Sequence, residues 1–243
     1  MIELKDKKDY IVNKSETIKV TNNNDIIIYD YCSDSNVELY VEEGSTVNYI
    51  ITKSKNSKRV FNVDGTLNII SIYFSNTNED LLINLNKENA TTNVKNLVIC
   101  NGVESNFIQY VKHNSKVTFS NIENIGIAFD SGNITFDTTG KIEKGMSKSK
   151  CAQLSRGIVM DNKSTVTAKP ILLIDEYDCF ANHGASIGKM SDDDLFYLMS
   201  RGLNKDEAFL LILQGIVRPY INSIPNDNLK EEIENSVNEL ILK

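Results

Sequence analysis

From residue 8 to 180 the chain keeps producing short runs of β-branched and apolar residues and never settles into a helical period. The runs are ETIKV, DIIIYD, VELYV, TVNYIIT, RVFNV, TLNIISIYF, DLLINL, NLVIC, FIQYV, KVTFS, IGIAF, NITFD, GIVMD and ILLID. Each reads as a strand. Between them stand NNND, SDSN, EEGS and DTTG, where Asn, Asp, Gly and Ser supply turns; Asn is frequent because it tolerates left-handed backbone and bonds to nearby main chain. The first proline is Pro170. With no helices between strands, a sandwich, a barrel and a β-helix are the candidates. Sandwiches and barrels show clean hairpin turns, and no NG or DG sits symmetrically between well-alternating strands except at Asp64–Gly65. A β-helix instead stacks each turn of chain on the last at about 4.8 Å, with polar corners. Strand content alone does not separate these architectures.

A chain of 243 residues that is 41% hydrophobic and 24% charged can bury one large domain, or one domain with an appendage. Its 26 basic and 33 acidic residues leave a net charge of -7. No positive field exists to attract a phosphate backbone, so nucleic acid is not expected as a partner. Cys32, Cys100, Cys151 and Cys179 are too far apart for CxxC pairing, and the start MIELKDKKDY carries charges where a signal peptide needs an apolar core. The expected compartment is a reducing cytoplasm. The most apolar stretch, FLLILQGIV at 209–217, is too short to span a bilayer, and no membrane role is expected.

Near residue 190 the period changes. Ser191 reads as an N-cap for SDDDLFYLMSRG, with Asp192 to Asp194 in the first turn and Gly202 closing the helix. Asn204 and Glu207 form a capping-box pattern ahead of a second helix with an apolar run around Ala208, Leu211, Ile212 and Ile216; Pro219 is expected to kink or end it. Leu229, Ile233, Val237, Leu240 and Ile241 then mark one face of a third. The reading is a β core over residues 1–188 and a small α-helical subdomain over 189–243.

Candidate chemistry is sparse. His113, in YVKHNSK, reads as exposed or hydrogen-bonded and structural. His183, in DEYDCFANHGASIGK, follows the strand ILLID and precedes Gly184, which allows close approach to the backbone. One imidazole cannot make a metal site without partners. Cys32 and Cys100 read as core fillers. Cys151 follows Lys148 and Lys150, which could depress a thiol pKa, but reads as structural. Cys179 and His183, if extended, stand about 13 Å apart on one face, beyond joint ligation of one ion. No GxSxG, P-loop or strand-borne GxGxxG occurs. The carboxylates show no pair above the solvated background, and the absence of Trp weakens a carbohydrate platform.

The stretch PILLIDEYDCFANHGASIGKMSDDDLFYLMSRGLNKDEAFLLILQGIVRPYI resembles the SufB/SufD family, the scaffold subunits of iron-sulfur cluster assembly. An apolar strand, an acidic step, a histidine with Gly-Ala-Ser, then LFYLMSRG and an Asn-capped helix come in one order at tight spacing. VTFSNIENIGIAFDSGNITFDTTGKIEKG and LSRGIVMDNKSTVTAKP look like weaker family repeats, so the resemblance covers roughly residues 110 to 222, and the first hundred match only in texture.

The resemblance implies a mainly β chain: a right-handed parallel β-helix followed by a small C-terminal helical part. It implies pairing through the β-helices with a SufB-like chain or with itself, and docking of a SufC-like ABC ATPase on the helical part. Leu195, Phe196, Tyr197, Ser200, Arg201 and Gly202 then fall in the docking region, and His183 matches the family histidine near the nascent cluster. No cofactor is expected on the chain alone, with iron or a transient cluster at the partner interface. SufB-type chains carry a glutamate after that histidine and a cysteine in the strand before the proline; here stand Gly184 and, by spacing, about Ser155, which points to the SufD type. Some SufD chains carry a cysteine two before the histidine; Ala181 stands here, so Cys179 does not inherit that role. The family's usual N-terminal helical portion has no counterpart, so a reduced form is expected. The expectation is a non-catalytic scaffold, with a polysaccharide-acting β-helix enzyme and a purely structural solenoid as rivals.

Overall fold

Successive strands fall alternately into two parallel sheets. One sheet holds, in spatial order, β1 (Ile2–Leu4), β3 (Glu16–Val20), β5 (Asp34–Val41), β7 (Asn56–Val63), β9 (Thr77–Leu85), β11 (Glu104–His113), β13 (Asn133–Ile142) and β15 (Thr165–Ile174). The other holds β2 (Asp9–Val12), β4 (Ile26–Asp30), β6 (Thr46–Ile51), β8 (Thr66–Tyr73), β10 (Thr91–Asn101), β12 (Phe119–Phe129), β14 (Lys150–Val159) and β16 (Phe180–Lys189). The computed structural model describes every residue except 6, 23, 24, 242 and 243, and leaves the side chains of 240 and 241 undescribed. Each odd–even pair of strands makes one turn, and the next turn lies on it in parallel register. This is a parallel β-helix, and it excludes the sandwich and the barrel, which pair strands mainly antiparallel.

Alternation of buried and exposed residues along the strands builds the core. In β5, Val37, Leu39 and Val41 point inward and their neighbours outward. Register stacks Ile18, Leu39, Phe61, Ile83 and Val111 in one continuous internal column. Each is essentially inaccessible, and burying one such side chain contributes about 1.5–3 kcal/mol.

Several sequence expectations are corrected here. MIELK and DYIV, unread as strands, contain β1 and form β2; of KVTFS only Phe119 and Ser120 lie in a strand, β12, which runs on through IGIAF; FANHGASIGK is β16. Asp64–Gly65 is a corner of the coil, not a hairpin: a Cβ on Gly65 would lie 2.4 Å from the Ser45 carbonyl and 2.6 Å from that of Glu42, so the turn beneath admits only glycine. Many asparagines lie in strands as well as turns. Asn56 donates to Asp34 (3.1 Å), Asn78 to Asn56 (3.2 Å) and Asn106 to Asn78 (3.2 Å), an amide ladder climbing the outer face. A second ladder runs through Asp25, Asn48, Asn68 and Asn93.

The interior also holds charge. Arg59 donates through Nε to Asp30 (3.0 Å) and through Nη1 to Glu79 (2.7 Å), and all three are buried. The Tyr49 hydroxyl donates to Asp30 (2.7 Å) and that of Tyr73 to Glu79. Both phenols are held well above their ordinary pKa, first by burial and then by the adjacent carboxylates.

The chain divides into two compact units, Met1–Ile187 and Gly188–Lys243. The second contains α1 (Asp192–Ser200), α2 (Lys205–Ile221) and α3 (Asp227–Ile241). Ser191 caps α1 by accepting from the Asp194 N–H at 3.1 Å, and Asn204 with Glu207 forms a reciprocal capping box on α2. Pro219 lies inside α2, which continues to Ile221. The buried face of α2 is Ala208, Leu213, Val217, Tyr220 and Ile221, while Leu211 is exposed. In a segment as apolar as FLLILQGIV, periodicity cannot choose the face; packing on Leu229, Ile233 and Val237 of α3 does. Leu240 and Ile241, expected on that stripe, lie outside the described side chains.

Candidate functional site: the open end of the coil

Among the described strands, four are paired on one edge only: β1 and β2 at the first turn of the coil, and β15 and β16 at the last. Pro170 sits in β15, where an edge strand tolerates its missing N–H. The internal columns continue into β15 through Val166, Ala168, Pro170, Leu172 and Ile174, stacked on Ile134, Phe136, Thr138, Gly140 and Ile142. Val166 is buried, but the other four are half-buried, because no further turn covers them. Ile171, Leu173, Phe180 and Ile187 are exposed around the same end, and Tyr177 is fully so.

His183 belongs to this last turn. The Phe180 N–H donates to the Ser149 carbonyl at 3.0 Å, the same relation by which the Lys150 N–H meets Thr118 where Lys150 lies beside Phe119. Phe180 therefore lies beside Lys150, and counting on places Ala181 over Cys151, His183 over Gln153, Gly184 over Leu154 and Ile187 over Gly157. Close approaches agree: Leu154 Cδ1 is 3.4 Å from a Cβ built on Gly184, and Ile187 Cγ1 is 3.1 Å from one built on Gly157. Cys151, Gln153 and Ser155 are the inward residues of β14, so His183 occupies an inward column at the uncovered rim. It is exposed there.

One imidazole supplies one ligand. Among the described residues no three His, Cys, Asp or Glu side chains converge as a metal site. His113, by contrast, is fully buried and hydrogen-bonded by both ring nitrogens, to Thr118 Oγ1 (2.7 Å) and Ser120 Oγ (2.9 Å), and burial lowers its pKa to about 4. It is a structural group. Burial pushes the Cys32 and Cys100 thiols up to about 11 and raises Cys151 as well, so its flanking lysines do not activate it. The Cys179 thiol donates to the Glu176 carbonyl at 3.1 Å, and its pKa is raised by burial and then by Glu176 and Asp178.

The second unit carries the other candidate residues. No residue of α1 is buried, and Phe196 is 75% and Tyr197 55% exposed. The Arg201 guanidinium lies over the Tyr197 ring at 5.2 Å, and the Ser200 hydroxyl donates to the Tyr197 carbonyl at 2.7 Å. Gly202, at φ +100°, closes the helix in a conformation that favours glycine. Leu195 is half-buried beside them.

The family whose model matches this chain is the SufBD core domain of SUF system FeS cluster assembly, and the match covers residues 10–216. The chain belongs to the SufB/SufD family. The match begins a hundred residues before the segment in which the sequence resemblance is legible. Similar proteins include the iron-sulfur cluster assembly protein SufD of Bacillus subtilis, 36% identical over 62% of this chain and 35% of the relative. SufB of the same organism is 32% identical over 51% of this chain and 28% of its own length. A SufBD family protein of Mycobacterium bovis is 32% identical over 46% of this chain and 13% of its own length. The chain thus spans about a third or less of these curated relatives. No described helix is long and apolar enough to cross a membrane.

Tyr177 and Phe180, exposed at this end, did not enter the sequence reading, although they stand in EYDCF among acidic residues. Gln153 did not enter it either, because only the register places it beneath His183.

Proposed function

We propose that this chain is a non-catalytic scaffold of the SufD type in iron-sulfur cluster assembly. The observation that carries the reading is the open turn of β15 and β16, an unpaired parallel edge with half-buried apolar columns and an exposed inward histidine. Such an edge demands a partner. A SufB-like chain laid against it would cover Leu172, Ile174 and Ile187 and supply the ligands that His183 lacks, so that iron or a transient cluster is held as cargo between the two chains. Gly184, where SufB types carry glutamate, and the match to SufD support this half of the pair.

The helical unit is the docking surface for a SufC-like ABC ATPase in this reading. A nine-residue helix with no buried residue is not stable alone, and Phe196, Tyr197 and Arg201 are the residue types that anchor interfaces. The compartment is the cytoplasm. Co-expression with the SufB-like chain and the ATPase, followed by size exclusion, tests the assembly. The expected result is a ternary complex from which Phe196→Ala with Tyr197→Ala releases only the ATPase; failure of both partners to co-elute with the unaltered chain defeats the proposal. Self-pairing is the second reading, favoured by the fact that two copies of one open end can meet about a two-fold axis. Light scattering of the chain alone separates the two.

A further inference from the structure

Gln153 is 4% exposed and its Oε1 has no hydrogen-bond partner among the described residues. Leaving a buried acceptor unpaired costs about 1–3 kcal/mol, so such an atom in a native interior calls for a donor. Its amide is oriented by the other end: Nε2 donates to the Ile171 carbonyl at 3.3 Å. Ile171 lies in β15, the strand of the facing sheet between β14 and β16, so the amide reaches across the interior toward the last turn, the turn that also carries His183. Space for this is made by Gly140, where a Cβ would fall 2.4 Å from Cys151 Sγ and 2.9 Å from Gln153 Nε2. The register places His183 directly over Gln153 on the same inward column.

We propose that Gln153 is a positioning residue for His183: its Oε1 receives one ring N–H of the imidazole, directly or through one ordered water, and so presents the other ring nitrogen outward from the open end. This rests on reading His183 as the residue that meets the cargo. A metal-ligating histidine commonly donates its second ring nitrogen to a carbonyl or carboxylate, which fixes the tautomer and ring orientation before the metal arrives. Among the described residues of this end, the Gln153 amide oxygen is the buried acceptor left without a donor.

The chain has only two histidines, so the test is direct. The 243-residue chain, labelled with nitrogen-15 in its histidine rings, is examined for ring N–H protons protected from solvent exchange. His113, bonded at both nitrogens, gives an internal signal that reports the fold. Wild-type protein is expected to show a second signal, assigned by its loss in His183→Ala. Gln153→Leu is expected to lose that signal, and Gln153→Glu, which keeps an acceptor, to retain it. Absence of a His183 signal from the wild type, or its undiminished presence in Gln153→Leu, overturns the proposal. Should the His113 signal show that Gln153→Leu has lost the fold, the wild-type and Gln153→Glu spectra decide. The cargo reading is tested separately by iron and sulfide content in the complex carrying His183→Ala; retention there would sink that reading and leave the ring N–H result standing.

Discussion

His113 and Arg59 show what the interior of this coil demands of a polar residue. The folded pKa of His113, about 4, lies below the ordinary value of 6.5, so the neutral ring is the form the fold accepts. Its stabilising contribution is complete above pH 6.5 and is lost as pH falls from there toward 4, amounting to about 3 kcal/mol at the low end. Urea unfolding at pH 7 and pH 4 should show a smaller loss for His113→Gln than for wild type; equal losses would rule the histidine out as the cause. Arg59 faces two buried carboxylates. Arg59→Ala should cost about 3–5 kcal/mol, because it strands Asp30 and Glu79 without a counter-charge. Arg59→Met combined with Asp30→Asn and Glu79→Gln should recover much of that in the same unfolding assay. Neither network was legible in the sequence. Asp30, Arg59 and Glu79 are neighbours only because the turns between them have particular lengths, and no local pattern records those lengths.

At the scale of the element, the legible features were those with local causes. The caps Ser191, Asn204 and Glu207 were readable because each bonds within three residues. Asn204→Ala should therefore lower the stability of the helical unit by about 1 kcal/mol, seen as faster amide exchange at the start of α2 with the β strands unchanged. The face of α2 and the strand identity of FANHGASIGK were not readable, since the first depends on α3 and the second on β14. Glycine within a strand was equally mute. Gly140→Ala should overpack the core by about 1–3 kcal/mol, and Cys151→Ala in the same chain should relieve part of it, because Sγ is the nearest atom the new methyl meets, with Gln153 Nε2 next. A thermal-melt cycle over the two single variants and the double checks this; additive losses would mean the strain lies elsewhere.

For the molecule as a whole, strand counting found the mainly β class and stopped at the choice of architecture, which the family resemblance decided. The reason is the drift in turn length, from 16 residues between Ile2 and Ile18 to 32 between Gly140 and Leu172. A coil whose period doubles along its length leaves no fixed spacing for a repeat search to find. Strands lengthen with it, from three residues in β1 to eleven in β10 and β12. Backbone protection measured by hydrogen exchange should accordingly rise from β1 and β2 to β10–β13 and fall again at β15 and β16. Uniform protection would contradict it. The lengthening also has a mechanical meaning. A beam whose section broadens along its axis bends where it is slender and moves as a block where it is wide, so a load applied near the bare rim would swing that rim rigidly and spend its deformation in the narrow early turns.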